Sequence, residues 1–308
     1  LYLYQLYISM DIITAEIEGT KATSAREKLA AYVELTKPRI AFMLVLTSAA
    51  GFYLGSAQGF NVTLFVNAMV GIALLAFGVA TLNQFIERKT DALMDRTARR
   101  PLPTNKVSPS EALIFGVLLC AAAELYLLFL VNGLTAALGL VVIVGYVLLY
   151  TPLKTRTSAS TAIGALPGAM PPLMGWTSAA DSITLAAWTL FALLFLWQFP
   201  HFLAIASMYK EEYAKAGIKM LPTLEKDGKI TARQIVLFAV LSVAVSLAPF
   251  FIGLSGVYYL AGAIVLGIWF LWTSIQAARY KTVEKSRKLL LVSVLYLPII
   301  FALMVFNH

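Results

Sequence analysis

The sequence predicts an all-α fold: a polytopic membrane protein built as a bundle of about nine transmembrane helices. Of its 308 residues 60% are hydrophobic and only 13% are charged, and the mean hydropathy is +0.80. A soluble domain has roughly a quarter charged residues. The apolar residues fall into repeated runs of about 18 to 24, the length that crosses a bilayer as a helix. The charged residues lie between these runs.

Each apolar run is expected to form one helix, because only helices and closed barrels satisfy all backbone polar groups in lipid, and these runs are too long for strands. In chain order the expected spans are 38–57, 62–82, 112–131, 134–150, 160–177, 184–207, 234–254, 256–277 and 289–306. The fifth contains the stretch GALPGAMPPLMGW, 164–176, whose Gly and Pro residues should bend or break it. Residues 37–308 form one transmembrane domain, and segment 1–36 precedes it in the cytoplasm, where it can be disordered.

The positive charges lie in every second loop. All 24 Lys and Arg residues fall in the segments 21–39, 83–111, 151–159, 208–233 and 278–288, and the intervening loops hold none. By the positive-inside rule the N-terminus is then cytoplasmic. The sequence pI of about 9.5 reflects this topology, so it needs no nucleic-acid partner. A single cysteine excludes disulfides within the chain and metal sites built from several cysteines.

The stretch NQFIERKTDALMDRTARRPLP, 83–103, concentrates charges of both signs where the second span meets the cytoplasm. Asn83, Glu87 and Asp91 follow each other at intervals of four, so a helix would carry them on one face. One amide and two carboxylates are hard oxygen ligands that suit Mg²⁺. Asp95 continues the series but has rotated away. The alternative interpretation is a solvated helix end held by local ion pairs.

A second charged loop, MYKEEYAKAGIKMLP, follows the sixth span on the same side. It contains Glu211 and Glu212, and then Lys215 and Lys219 four residues apart. Two acidic loops with adjacent bases could hold two Mg²⁺ ions around one polyanion, such as the diphosphate of a lipid ester. Lys154 lies in a third loop on this side. For any single lysine, topology alone is a sufficient explanation of its charge.

His201 lies within the sixth span, directly after Pro200. An ionisable side chain at this depth is a candidate functional residue. It could ligate a metal or act as a base, or it could simply bond a backbone carbonyl freed by the proline. His308, the other histidine, is the last residue and is expected on the opposite side.

These stretches also resemble a known family. The chain is similar to the intramembrane aromatic prenyltransferases and, within them, to the haem O synthase (protohaem IX farnesyltransferase) family. The matching stretches are LTKPRI at 35–40, the 83–103 stretch, YTPLKTRTSASTAIGALPGAMPPLMGW at 150–176 and WQFPHFLAIASMYKEEYAKAGIKMLP at 197–222. They follow the order of the family and extend the resemblance over about 35–306.

The resemblance implies a reaction in which farnesyl diphosphate and haem b give haem O and diphosphate, with addition of water. It implies a first Mg²⁺ on Asn83, Glu87 and Asp91, with Glu211 and Glu212 holding a second, and His201 as a further catalytic residue. The diphosphate would be bound by cationic side chains: Arg96, Arg100, Lys154, Lys215 and Lys219. The second loop has fewer acids than many superfamily members, which leaves the second metal open. Haem A synthase and the assembly of haem-copper oxidases are the implied partners.

Three other functions remain compatible with the residues. A prenyltransferase of a small aromatic quinone precursor would share the Mg²⁺ face but use a different acceptor. A haem carrier would bind haem and release no diphosphate, and a transporter would place its charges nearer the midplane. A bacterial inner membrane is the expected location, with the mitochondrial inner membrane as the alternative, because segment 1–36 shows little of an Arg- and Ser-rich transit peptide.

Overall fold

The structure, a computed structural model, describes residues 24–57 and 59–308. All secondary-structure elements in that part of the chain are helices. The helices in chain order are α1 Ala25–Leu35, α2 Pro38–Gly55, α3 Val62–Asp91, α4 Pro109–Leu130, α5 Gly133–Leu153, α6 Ser160–Gly168, α7 Met170–Ala180, α8 Leu185–Met208, α9 Lys210–Lys215, α10 Leu221–Leu224, α11 Lys229–Phe251, α12 Val257–Tyr280 and α13 Val283–Phe306.

Eight of these helices, α2–α5, α8 and α11–α13, are long and apolar enough to cross a membrane. The span expected at 160–177 differs, since α6 and α7 share that stretch and meet at Ala169. The predicted break has a clear cause. Pro167 lies inside α6, α7 begins with a proline pair, and proline cannot donate a backbone hydrogen bond.

Part of segment 1–36 is ordered, in contrast to the expectation of disorder there. Helix α1 starts at the N-cap Ser24 in a capping box with Glu27. Its buried Ala31 and Leu35 pack with residues from the α3–α4 connection and from α4. Gln84 of α3 donates to the Leu35 carbonyl. This helix is therefore docked on the transmembrane domain, while residues 1–23 lie outside the described chain.

Close backbone contacts hold α2 against α7. A β-carbon added to Gly175 would collide with the Ser48 carbonyl, and one added to Gly51 would collide with the Pro172 carbonyl. Small residues commonly allow such approaches between membrane helices. This contact fixes the position of α2, whose start lies beside the candidate site.

Helix α5 changes geometry before it ends. Ile143–Tyr150 is a π-helical stretch of eight residues. The Thr151 hydroxyl donates to the Tyr146 carbonyl at 2.7 Å, five residues earlier. The wider turn re-aims the side chains that follow it, and π-helical turns occur frequently at functional sites.

Candidate active site

The charged segments meet at one end of the bundle, which we call the charged end. The Lys154 carbonyl accepts from the Lys219 backbone N–H at 2.7 Å and so joins two of the segments. Lys281 donates to the Asp227 carbonyl at 2.7 Å and so joins the segment 278–288 to the segment 208–233. Side-chain contacts of α3 connect the remainder. The loops that the charge pattern assigned to one side therefore lie together.

Helix α3 carries Asn83, Glu87 and Asp91 as a continuous helix to its last residue. All three side chains are largely shielded: Asn83 is 1% exposed, Asp91 2%, and the Glu87 side chain 13%. The shared face inferred from their spacing is thus turned toward the protein, and the alternative of a solvated helix end does not describe it. Arg88, on another face, donates to its own helix at the Phe85 carbonyl.

Each of these oxygen-bearing side chains is paired with a cation from a different part of the chain. Lys37 donates to Asn83 Oδ1 at 2.7 Å. Lys154 forms an ion pair with Glu87 Oε1 at 2.6 Å. Arg100 forms an ion pair with Asp91 Oδ2, also at 2.6 Å. We call the three α3 side chains and their three cations the ionic cluster.

The two lysines of the ionic cluster differ in basicity. Burial, reinforced by the Arg100 cation, lowers the pKa of Lys37 to about 7. Burial also acts to lower the pKa of Lys154, but the Glu87 carboxylate outweighs it and raises that pKa well above its usual value. The ring of Tyr150 lies beside the ammonium of Lys154, which is 4.4 Å from the ring centroid. Lys154 is therefore the more basic of the two.

The π-helical stretch completes the surroundings of the amide. Asn83 Nδ2 donates to the hydroxyl of Thr151 at 3.2 Å, and that hydroxyl donates onward to the Tyr146 carbonyl. With Lys37 on its oxygen, the amide is fixed from both sides. Thr151 follows the π-helical stretch directly, and Lys154 lies three residues further along.

The second loop lies beside the ionic cluster but is more exposed. Glu212 accepts from the backbone N–H of Arg96 at 3.3 Å, and Arg96 lies over the ring of Tyr209, 5.0 Å from its centroid. Glu211, Lys215 and Lys219 have exposed side chains. No group of three or more His, Cys, Asp or Glu residues that could hold a metal occurs in the described residues. Both the metal on Asn83, Glu87 and Asp91 and the second metal on Glu211 and Glu212 therefore remain predictions.

A cavity of about 1090 Å³ adjoins the ionic cluster. Its wall is largely apolar and is formed mainly by α2, α3, α5, α7, α8 and α13. Lys37 and Tyr146 line it at the charged end, Phe65 lines it near the start of α3, and His201 also belongs to its wall. A long apolar molecule with an anionic head could place the head at the ionic cluster and the tail in this cavity.

Sequence reasoning missed several residues of the site. From the sequence, Lys37 is only one of the positive charges that predict the topology, although it lies in one of the matching stretches, LTKPRI. The positions of Thr151 and Tyr146 in the site depend on a π-helical turn that no residue pattern predicts. Ser293, whose hydroxyl oxygen lies 2.8 Å from His201 Nδ1, lies in a span with no other sign of function.

Fold and site together define an integral membrane protein with a buried ionic cluster at one end of an apolar cavity. The model of the UbiA prenyltransferase family matches residues 44–302. The chain belongs to the UbiA prenyltransferase family. Two curated relatives, both named protoheme IX farnesyltransferase, come from Solibacter usitatus (46% identity, 90% of this chain and 98% of the relative) and Koribacter versatilis (42%, 90% and 93%). They confirm the resemblance drawn from the motifs.

Solved structures show the same fold. A digeranylgeranylglyceryl phosphate synthase superposes with a TM-score of 0.77 at 18% identity. The match covers 91% of this chain and 98% of the synthase chain. A UbiA homologue from Archaeoglobus fulgidus, solved with GPP and Mg²⁺, superposes with a TM-score of 0.63 at 16% identity, covering 89% and 99%.

Proposed function

We propose that this chain transfers the farnesyl group of farnesyl diphosphate to a vinyl group of haem b, with addition of water, to give haem O and diphosphate. One observation carries the proposal: a buried ionic cluster borders an apolar cavity large enough for a prenyl chain and an acceptor. The near full-length relatives named protoheme IX farnesyltransferase support haem b as the acceptor.

The donor set of α3 fits Mg²⁺. This ion takes one or two carboxylates and completes its octahedral shell with water and phosphate oxygens, and Asn83, Glu87 and Asp91 offer that combination in a shielded position. The Archaeoglobus fulgidus homologue, solved with Mg²⁺ and GPP, supports the same choice. When bound, Mg²⁺ supplies Lewis-acid stabilisation of the diphosphate. Glu211 and Glu212 remain candidates for a second ion.

The cations act on the leaving group. As the allylic C–O bond breaks, negative charge grows on the diphosphate, and Arg100, Lys154 and Lys37 stabilise it. Arg100 can bind two phosphate oxygens at once, whereas the lysines act as point charges. Arg96, Lys215 and Lys219 lie in the adjoining loops and can contact the outer part of the diphosphate.

The cavity protects the carbocation that remains. The terminal carbon of the vinyl group bonds to C1 of the farnesyl chain, which moves the positive charge to the carbon next to the porphyrin ring. Water adds to that carbon and loses a proton, giving a hydroxyl group. An apolar wall excludes bulk water until the carbon–carbon bond has formed.

The proposed location is a bacterial inner membrane, with the charged end in the cytoplasm. Confinement of every Lys and Arg to one set of loops supports this orientation. Haem A synthase and the assembly of haem-copper oxidases are proposed partners, because they would consume the product.

Incubation of membranes that contain this chain with haem b, farnesyl diphosphate and Mg²⁺ tests the function, with haem analysis by mass spectrometry and EDTA as the control. Haem O that depends on Mg²⁺ is the expected product. Haem that stays bound without release of diphosphate would instead identify a carrier. Prenylation of a small phenol, with no haem product, would identify an enzyme of quinone synthesis.

A further inference from the structure

His201 is held by two neighbours on the wall of the cavity. Its Nδ1 atom lies 2.8 Å from the hydroxyl oxygen of Ser293 on α13. The indole of Trp197, one turn earlier on α8, stacks on the imidazole with ring centroids 4.7 Å apart and planes inclined by 24°. Trp197 also donates through Nε1 to the Ser293 carbonyl at 2.9 Å. The imidazole is therefore fixed in position and plane.

The proton on the imidazole can be assigned from this network. The Ser293 hydroxyl donates to the Leu290 carbonyl at 2.7 Å. A hydroxyl group has one proton, and while that proton is directed to the Leu290 carbonyl it is not available to His201. In that arrangement Nδ1 of His201 is the protonated nitrogen and donates to Ser293. The other nitrogen, Nε2, then carries a lone pair in the neutral imidazole.

This lone pair has no partner in the part of the chain that the structure describes. No hydrogen bond to Nε2 is present there. Nε2 is also not one of the fully buried polar atoms that lack a partner, so the atom is accessible. The ring belongs to the wall of the large cavity. An accessible lone pair that points at no protein group is suited to an incoming ligand.

We infer that His201 Nε2 is the axial ligand of the haem iron, with Ser293 and Trp197 as positioning residues. This inference rests on the proposed function and specifies how the acceptor is bound. A neutral imidazole whose other nitrogen donates to a hydrogen-bond acceptor is the usual form of a histidine metal ligand. Here the acceptor is a hydroxyl, which fixes the tautomer and ring orientation before haem enters.

The same atom is poorly arranged to act as a base. A base that accepts a proton from water must pass it on, and the only hydrogen bond of His201 among the described residues leads to Ser293. The Ser293 proton is directed at the Leu290 carbonyl, where the path ends. Ligation of iron needs no such path.

Iron held at this point also constrains the porphyrin. The vinyl groups lie at a fixed distance from the iron. A bond between His201 and the iron therefore restricts each vinyl group to a circle of positions within the cavity. Lys37 of the ionic cluster lies on the same cavity wall. Binding through the iron therefore holds the acceptor in the cavity that Lys37 also lines, without any polar contact to the vinyl group itself.

Absorption and electron paramagnetic resonance spectra of the purified protein with haem b test the ligand directly. We expect a histidine-ligated spectrum for the wild type. His201→Ala should lose that spectrum, and added imidazole should restore it. His308→Ala, which removes the only other histidine of the sequence, should leave it unchanged.

Two further measurements separate binding from folding. The KM for haem should rise in His201→Ala while the KM for farnesyl diphosphate stays the same. Ser293→Ala keeps the ligand but loses its orienting partner, so we expect haem affinity to fall about 10- to 100-fold, as is typical for such partners of metal ligands. Should His201→Ala fail to fold, Ser293→Ala still decides the question, and unchanged haem affinity would overturn the inference.

Failure of the inference differs from failure of the proposed function. An unchanged spectrum of haem-loaded His201→Ala, in a protein whose wild type makes haem O, would reject the axial ligand and keep the function. A wild type that neither binds haem nor makes haem O would reject both.

Discussion

At the scale of the residue, the main finding is that the acidic side chains of α3 are shielded and paired. Glu87 and Asp91 form ion pairs of 2.6 Å with Lys154 and Arg100, rather than with Arg88 or Lys89 of the same helix. Removing one partner from a buried pair leaves an uncompensated charge and is costly. The Arg100 side chain is 22% exposed, so water can solvate its charge when Asp91 is replaced by an uncharged residue of the same shape.

Asp91→Asn keeps the shape and removes the charge. We expect turnover to fall by at least about 100-fold, comparable to the loss of one group that stabilises developing charge, while the protein remains folded. Initial rates of haem O formation at saturating Mg²⁺ provide the measurement.

Asp95→Asn is the matched control, because Asp95 lies four residues further along the chain, beyond the end of α3, and is exposed. It should retain near-normal activity. Normal turnover of Asp91→Asn, or an equal loss in both variants, would contradict the proposed metal ligands.

Part of this site could be predicted from the residues. Spacing at intervals of four identified one helix face, and α3 is indeed helical through Asp91. Spacing could not identify which cation pairs with which oxygen, because Lys37, Lys154 and Arg100 come from separate segments whose approach depends on tertiary packing. The role of Ser293 could not be predicted for the same reason, because its partner His201 lies on another helix.

At the scale of the element, two departures from regular helix shape the site. The π-helical stretch in α5 places Thr151 and Lys154 against α3, and the break at Ala169 divides one span into α6 and α7. Clustered Gly and Pro predicted the break. The π-helical stretch has no such signature, since its residues are ordinary apolar ones, so only the folded structure reveals it.

Gly51→Ala tests the contact between α2 and α7. The added methyl group would meet the Pro172 carbonyl, which is rigid backbone, so α2 must move. We expect a loss of stability of about 1–3 kcal/mol, the usual effect of overpacking, seen as a lower melting temperature in detergent.

Gly133→Ala serves as the control for the contact, because a β-carbon there would meet nothing within 4 Å. It should melt like the wild type. If both variants melt normally, the α2–α7 contact is looser than the structure shows.

At the scale of the whole molecule, the charged loops and the ionic cluster lie at one end, and an apolar cavity adjoins them. This polarity was the most predictable property of the chain, because charge placement sets topology regardless of packing detail. The cavity was not predictable in size, since it depends on how six helices diverge.

Cysteine labelling with a membrane-impermeant maleimide tests the proposed orientation. The only native cysteine, Cys120, is buried and provides an unreactive background. Ser182→Cys, in an exposed loop opposite the charged end, should label in intact cells. Lys106→Cys, exposed at the charged end, should label only after the membrane is opened. The reverse pattern would invert the orientation.

The pairing within the ionic cluster has a consequence for the order in which substrates assemble. Lys37, Lys154 and Arg100 already have partners, so a diphosphate that arrives alone must break those pairs and strand buried oxygens of α3. A diphosphate that arrives already complexed with a divalent cation offers a new partner to both halves of each pair. We therefore expect the resting protein to bind the diphosphate or the divalent cation poorly when either is alone, and to bind the complex of the two. Binding of the complex is an exchange of partners with little change in total charge.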